Sequence, residues 1–115
     1  MKILQNITND KKDLVKASNA VNTVQDLVGE SVTINGILIF EKEELDEKSQ
    51  EVVVQRVSAF RLTNGEFYTS ISPTVKSSLE SIIEVFDADE IKAGIEIQVK
   101  SRTSKGGRDF IYIDL

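Results

Sequence analysis

The apolar positions of the chain change period several times, and each change marks an element. From Asn9 or Asp10 to about Val28, the residues Leu14, Ala17, Val21, Val24 and Val28 recur at alternating steps of three and four, the stripe of an α-helix. Asn9 or Asp10 would cap it, and Gly29 stands where a glycine ends a helix. The stripe is thin, mostly Val and Ala, and so short a repeat is marginal as a coiled coil. It predicts a helix over about residues 9–28 that lies against the chain's own sheet. Residues 1–8 show no clear period.

From Ser31 onward the period shortens to that of strands. Val32, Ile34, Ile37, Leu38, Ile39 and Phe40 form a long run reaching Leu45, with Gly36 inside it, where a glycine marks a bulge or bend. The acidic segment 41–51, which also holds Lys42 and Lys48, reads as a solvated connection and lacks the spacing of a calcium loop. A second strand runs from about Glu51 to Thr63, and Asn64-Gly65 predicts a two-residue hairpin turn. The third strand, Glu66 to Ile71, sets Phe67, Thr69 and Ile71 on one face and Tyr68 and Ser70 on the other. Phe67 and Ile71 are expected to look inward and Tyr68 outward.

Ser72-Pro73-Thr74 opens a second helix, whose Val75, Leu79, Ile82, Ile83 and Phe86 share one face. Asp87 to Gly94 reads as an acidic connector with a glycine stop. Ile95 to Lys100 alternates as a fourth strand, and Gly106-Gly107 turns the chain into a fifth. Strand, strand, strand, helix, strand, strand, preceded by a helix, predicts an all-β fold with helices. The expected architecture is a five-stranded OB-type Greek-key barrel over about residues 30–115, its helix between the third and fourth strands. An open antiparallel α+β sheet is the alternative. The length of 115 residues suits a single domain.

Composition narrows the chemistry. Apolar residues make up 40% and charged residues 29%, the balance of a soluble protein, and no apolar run approaches the length of a membrane span. The first residues lack the apolar core of a secretory signal, so a cytoplasmic location is expected. Cys and His are both absent, which removes disulfides, thiolate chemistry, the commonest general base and the commonest zinc ligand. An enzyme is therefore disfavoured, and neither cofactor nor metal is expected.

The net charge of -5 argues against blanket nucleic-acid binding, yet the segment from residue 100 to 108 reverses the sign. It holds Lys100, Arg102, Lys105 and Arg108 with no acid, and Phe110 and Tyr112 follow at once. Cations for phosphates and aromatic faces for bases are what a single nucleic-acid strand needs. An OB barrel binds such a strand across the exposed face of its second and third strands. Here that face would offer Arg56, Ser58, Phe60, Tyr68 and Ser70, bordered by the basic hairpin. Arg61 has the other parity and would join only through a bulge near Val57. Two parities are open for the last strand: if Ile111 and Ile113 fill the barrel, Phe110 and Tyr112 face out; if Phe110 fills it, the strand is ordinary core.

The run Phe60-Arg-Leu-Thr-Asn-Gly-Glu-Phe-Tyr-Thr-Ser-Ile-Ser-Pro73, an amphipathic helix, and Ser104-Lys-Gly-Gly-Arg-Asp-Phe-Ile-Tyr-Ile-Asp-Leu115 follow one another in the chain. This layout resembles the small single-stranded DNA-binding proteins of bacteriophages and of mobile elements of Gram-positive bacteria, over roughly residues 30–115. The resemblance implies non-catalytic, largely sequence-independent binding that protects displaced strands in replication or recombination, in the cytoplasm of a bacterial host. Single-stranded DNA would be the partner, with RNA as an alternative; a homo-oligomer and contacts with replication or recombination proteins are left open. The chain has no Trp and no Pro/Gly-rich acidic tail, unlike the cellular bacterial proteins of this function. Two competing readings are a protein-interaction module on an OB barrel and a carboxylate-metal nuclease, the latter disfavoured because the acids sit in connectors.

Overall fold

The computed structural model describes residues 2–8 and 10–115, so the expected Asn9 cap lies outside the described residues. A single seven-stranded sheet carries the molecule, in the order β2-β5-β4-β3-β6-β7 with β1 added to β3. Its central strand is β3, Ser31–Leu45, the long apolar run with Gly36 inside it. Residues 31–34 of β3 pair with β6 (Ile95–Thr103), whereas residues 37–41 of the same strand pair with β1 (Lys2–Ile7). Along its other edge β3 pairs with β4 (Val52–Leu62), with a register shift between Ile34 and Gly36. The bulge expected at Gly36 is present. It lets Ile34 and Ile37, three positions apart, face the same core, so the strand turns a corner without exposing either half.

Gly36 is required by closeness. A Cβ there would stand 3.2 Å from the Ile7 carbonyl oxygen and 3.4 Å from the Arg61 Cβ. The sheet curls around this corner into a half-barrel. Its inner side holds Ile34, Ile37, Ile39, Phe60, Ile97, Val99 and Ile113. Helix α2 (Pro73–Val85) fills that interior with Val75, Leu79 and Ile82, as the single-face spacing predicted, and Pro73 sits in its first turn.

Several elements depart from expectation. The predicted N-terminal helix is broken: α1 covers only Lys12–Ser18, followed by β2 (Asn22–Thr23) and a 3₁₀ turn (Val24–Leu27). Its stripe serves two cores, for Leu14 and Ala17 pack on the outer side of the sheet while Val24 enters the inner side and Val21 is 89% exposed. The break falls where Asn19, Asn22 and Thr23, all weak helix formers, follow one another, and the Thr23 hydroxyl with the Asp26 carboxylate forms a capping box that starts the 3₁₀ turn. Residues 2–7, without period in the sequence, form β1 because β3 offers an unpaired edge past its corner.

The acidic connector after α2 contains a short helix, α3 (Ala88–Ala93), opened by an Asp87/Glu90 capping box and anchored by the fully buried Ile91. The turn at Asn64-Gly65 has three residues rather than the expected two, and the turn at Gly106-Gly107 also has three. Before β5 (Phe67–Ser70), Leu62 N–H donates to Glu66 O and Gly65 N–H to Leu62 O; before β7 (Asp109–Asp114), Ser104 N–H donates to Arg108 O and Gly107 N–H to Ser104 O. In each, the glycine takes positive φ, 92° and 80° respectively, as the left-handed position of such a loop demands. The expected five strands are thus joined by β1 and β2, and no strand pairing joins β7 to β5 or β2 among the described residues. No helix among those residues is long and apolar enough to cross a membrane.

Gly36→Ala should lower stability by about 1–3 kcal/mol, because the added methyl meets backbone rather than a flexible side-chain end. Chemical denaturation checks this, with an unchanged midpoint as the contrary result.

Candidate nucleic-acid interface

The face expected to bind is not an exposed face. Phe60 has no exposed surface and lies in the inner core, and its cross-strand partner Tyr68 stacks against it with ring centroids 6.3 Å apart. Tyr68 is therefore half-buried on the inner side of the half-barrel, the reverse of the predicted parity. Phe67 takes the opposite side, and Ile71, expected inward, is 66% exposed beyond the end of β5. Ser58 is also buried on the inner side. The physical reason for the error is that both sides of β4 and β5 are covered, so an inward Phe67 does not make its neighbour outward.

The cover on the outer side is α1. Leu14, Ala17 and Ala20 pack over Leu38, Phe40, Val57, Ala59 and Phe67. Beneath the helix, Arg61 Nη1 donates to Asn35 Oδ1 at 2.8 Å, and Arg61 Nε lies 3.9 Å from a carboxylate oxygen of the buried Asp13. Arg61 thus clamps α1 to the sheet. Tyr68 has a further handicap as a base platform. Burial, and then the nearby carboxylates of Glu66, Asp26 and Glu30, push its phenol above the ordinary range, and the same carboxylates would repel a phosphate. Arg56 is exposed but stands on the long β3–β4 arm, paired with Glu41 at 3.3 Å.

The basic hairpin does form a continuous outer face. Val99 pairs with Ile113 and Ser101 with Ile111 on the inner side, leaving Lys100 opposite Tyr112 and Arg102 opposite Phe110 on the outer side. Of the two parities, the structure has the one that turns Phe110 and Tyr112 outward, and both are half-exposed. Their rings lie 6.1 Å apart at 45°. The Arg102 guanidinium sits 5.2 Å from the centre of the Tyr112 ring and its Nη2 donates to the Tyr112 hydroxyl at 3.5 Å, so a cation braces the ring without hiding its whole surface.

Lys100 is tied differently. Its ammonium donates to Asp114 Oδ2 at 2.9 Å, a bond that raises the Lys100 pKa and, with the Leu115 N–H, holds the Asp114 carboxyl below its ordinary value. Lys105 and Arg108 are exposed in the turn, and among the described residues neither they nor Arg102 has a carboxylate within 4.0 Å. Asp114 escaped the sequence reading although the signal was present: on antiparallel strands, Lys100 and Asp114 share the outward parity and are diagonal neighbours.

A second feature had no signal in the sequence. Where β7 leaves the sheet unclosed, a cleft of about 470 Å³ opens between β7 and the 3₁₀ turn, lined by Gln25, Val28, Ser72, Ser101, Asp109 and Ile111 among others. It continues into a depression of about 440 Å³ beside Thr69, Ser70 and Ile71, sharing Gln25, Ser72 and Ile111. Three distant segments meet there, and nothing in any one of them announces it. No group of three or more acids able to hold a metal ion occurs among the described residues.

A family model described as phage single-stranded DNA-binding protein matches residues 5–115. No curated protein and no solved structure matches the chain.

Phe60→Ala should cost about 3–5 kcal/mol of stability, the range for emptying a buried aromatic site. Phe110→Ala on the outer face should shift the unfolding midpoint far less, and equal losses in denaturant titrations would contradict the assignment of the two faces.

Proposed function

Because the chain belongs to the phage single-stranded DNA-binding protein family, we propose that it binds single-stranded DNA on the outer face of the β6–β7 hairpin, without catalysis and with little dependence on sequence. The role is protection of displaced strands in replication or recombination within a bacterial host. One observation carries the reading of the site: Phe110 and Tyr112 alternate with Lys100 and Arg102 across adjacent strands, on a half-exposed face that no other element covers among the described residues. Phosphates meet Lys100, Arg102, Lys105 and Arg108, and bases stack on the two rings. Such stacking tolerates any sequence because every base has a π-face, and it requires unpaired bases. Phe60, Tyr68 and Arg56 take no part in this reading, being buried, half-buried among acids, and paired on a distant arm.

Strands β3 to β7 are read as the five strands of an OB-type Greek-key barrel. Their order, with α2 between β5 and β6 and filling the interior, supports that reading. The alternative of a protein-interaction module draws on one observation. The β3–β4 arm exposes Leu45, Val52 and Val54, at 58%, 63% and 53%, on one of its sides.

The two readings separate on salt. If four cations contact phosphates, a plot of log affinity for an oligothymidylate against log salt should have a slope on the order of -3. A slope near zero, or equal affinity for duplex DNA of the same length, would favour the protein partner. Tyr112→Ala should weaken binding by about 1–3 kcal/mol and leave that slope almost unchanged.

Asp114→Asn should act in the opposite direction. It removes the carboxylate that competes with phosphate for Lys100, so binding should tighten while the slope, which already counts Lys100 among the four contacts, stays on the order of -3. Weaker binding in this variant would mean that the Lys100–Asp114 pair positions the hairpin rather than masking a cation.

A further inference from the structure

The cleft beside β7 differs in chemistry from the hairpin's outer face. None of its lining residues is cationic, and it contains the carboxylate of Asp109, so it is ill suited to a phosphate. Its walls combine apolar surface from Val28, Phe110 and Ile111 with the amide of Gln25 and the hydroxyls of Ser72 and Ser101. Flat apolar walls with a few convergent polar groups suit a neutral, planar ligand.

The main chain of β7 adds to this set. Ile113 N–H points away from β6, donating to Ser78 Oγ of α2 at 3.2 Å, while the Arg108 carbonyl accepts from Ser104 on the β6 side. By the alternation of an antiparallel strand, Asp109 and Ile111 likewise turn their N–H and C=O groups away from β6, toward the cleft. Helix α2 satisfies the Ile113 end of this edge. Among the described residues, no hydrogen-bond partner is found for the Ile111 N–H.

We infer that the cleft receives one nucleobase of the bound strand and selects bases whose Watson–Crick edge sets an exocyclic amine next to a ring-nitrogen acceptor, namely cytosine and adenine. The inference rests on the single-strand reading above. The ring slides between Val28 and the β7 edge while its phosphates stay on the cationic outer face. The ring nitrogen accepts from the Ile111 N–H or the Gln25 amide. The exocyclic amine donates to Asp109, whose Oδ1 already accepts from the Thr103 hydroxyl at 2.6 Å, leaving Oδ2 for the base. Thymine presents a carbonyl oxygen where cytosine presents that amine, and a carboxylate can only accept.

The test compares oligodeoxycytidylate with oligothymidylate of equal length, at one salt concentration, by fluorescence anisotropy. The unmodified protein should prefer the cytosine strand about threefold to tenfold, the range for one net hydrogen bond. Asp109→Asn, which offers an amide donor in place of the carboxylate, should bring the ratio to unity or reverse it, and Gln25→Leu should reduce it. Both residues are exposed, and a thermal melt of each variant checks that it folds. A cytosine-to-thymine ratio unchanged in both variants would overturn the inference and leave the free β7 edge to an extended peptide. Failure of the unmodified protein to bind either strand would instead overturn the single-strand reading itself.

Discussion

The corner in β3 is the constraint on which the other elements depend. One strand must pair with β6 before Gly36 and with β1 after it, while β4 runs along its opposite edge from Ile34 to Leu45. That is feasible only where the backbone of Ile7 and the side chain of Arg61 can approach to within 3.2 and 3.4 Å of the space a Cβ would fill. The one-residue bulge preserves the facing of Ile34 and Ile37, so the apolar interior is continuous around the bend. With the sheet curled, α2 can fill the inner side and α3 can set Ile91 into it. A flat sheet would leave both helices without a concave surface to occupy.

Curling has a second consequence, for where a ligand can bind. The inner side of β4 and β5 is occupied by the core, and their outer side is held under α1 by the buried Asp13 and by Arg61. The stretch of β4 and β5 that holds Phe60, Phe67 and Tyr68 is therefore covered on both sides, with Tyr68 half-buried. Among the described residues, the last hairpin keeps its outer face open, with Phe110 and Tyr112 half-exposed. The sheet also stops at β7, and the unpaired half of that edge borders the cleft of about 470 Å³. The hairpin's cations lie on one side of β7 and the cleft with its carboxylate on the other, so charge is divided between two surfaces of the same strand.

On the proposed reading, this division is what lets an acidic protein bind a nucleic acid at one hairpin. The net charge of -5 is spread over the arm, the connectors and the surroundings of Tyr68, whereas the segment 100–108 is free of acid. A phosphate backbone approaching the molecule is repelled from most of its surface and attracted to one hairpin. Asp114 tempers that attraction by holding Lys100, so the site is weaker than its cation count suggests.

Local chemistry determined much of this in the sequence alone. The bulge at Gly36, the alternation of every major strand, the start of α2 at Pro73 and the basic, aromatic hairpin could all be read there, because each depends on neighbours a few residues apart. The Asp87/Glu90 capping box is equally local, its two acids standing three residues apart within the acidic connector. Tertiary structure decided what depends on coverage. Leu14 and Val24 lie on one helical stripe but belong to opposite sides of the sheet, and alternation in β5 separates Phe67 from Tyr68 without telling that both sides are occupied. Phe60 and Phe110 are alike as residues, each in an alternating strand of strong β-formers. One is core and the other surface only because α2 fills the inner side while, among the described residues, nothing packs over the outer face of the last hairpin, and burial is a property of what arrives from elsewhere in the chain.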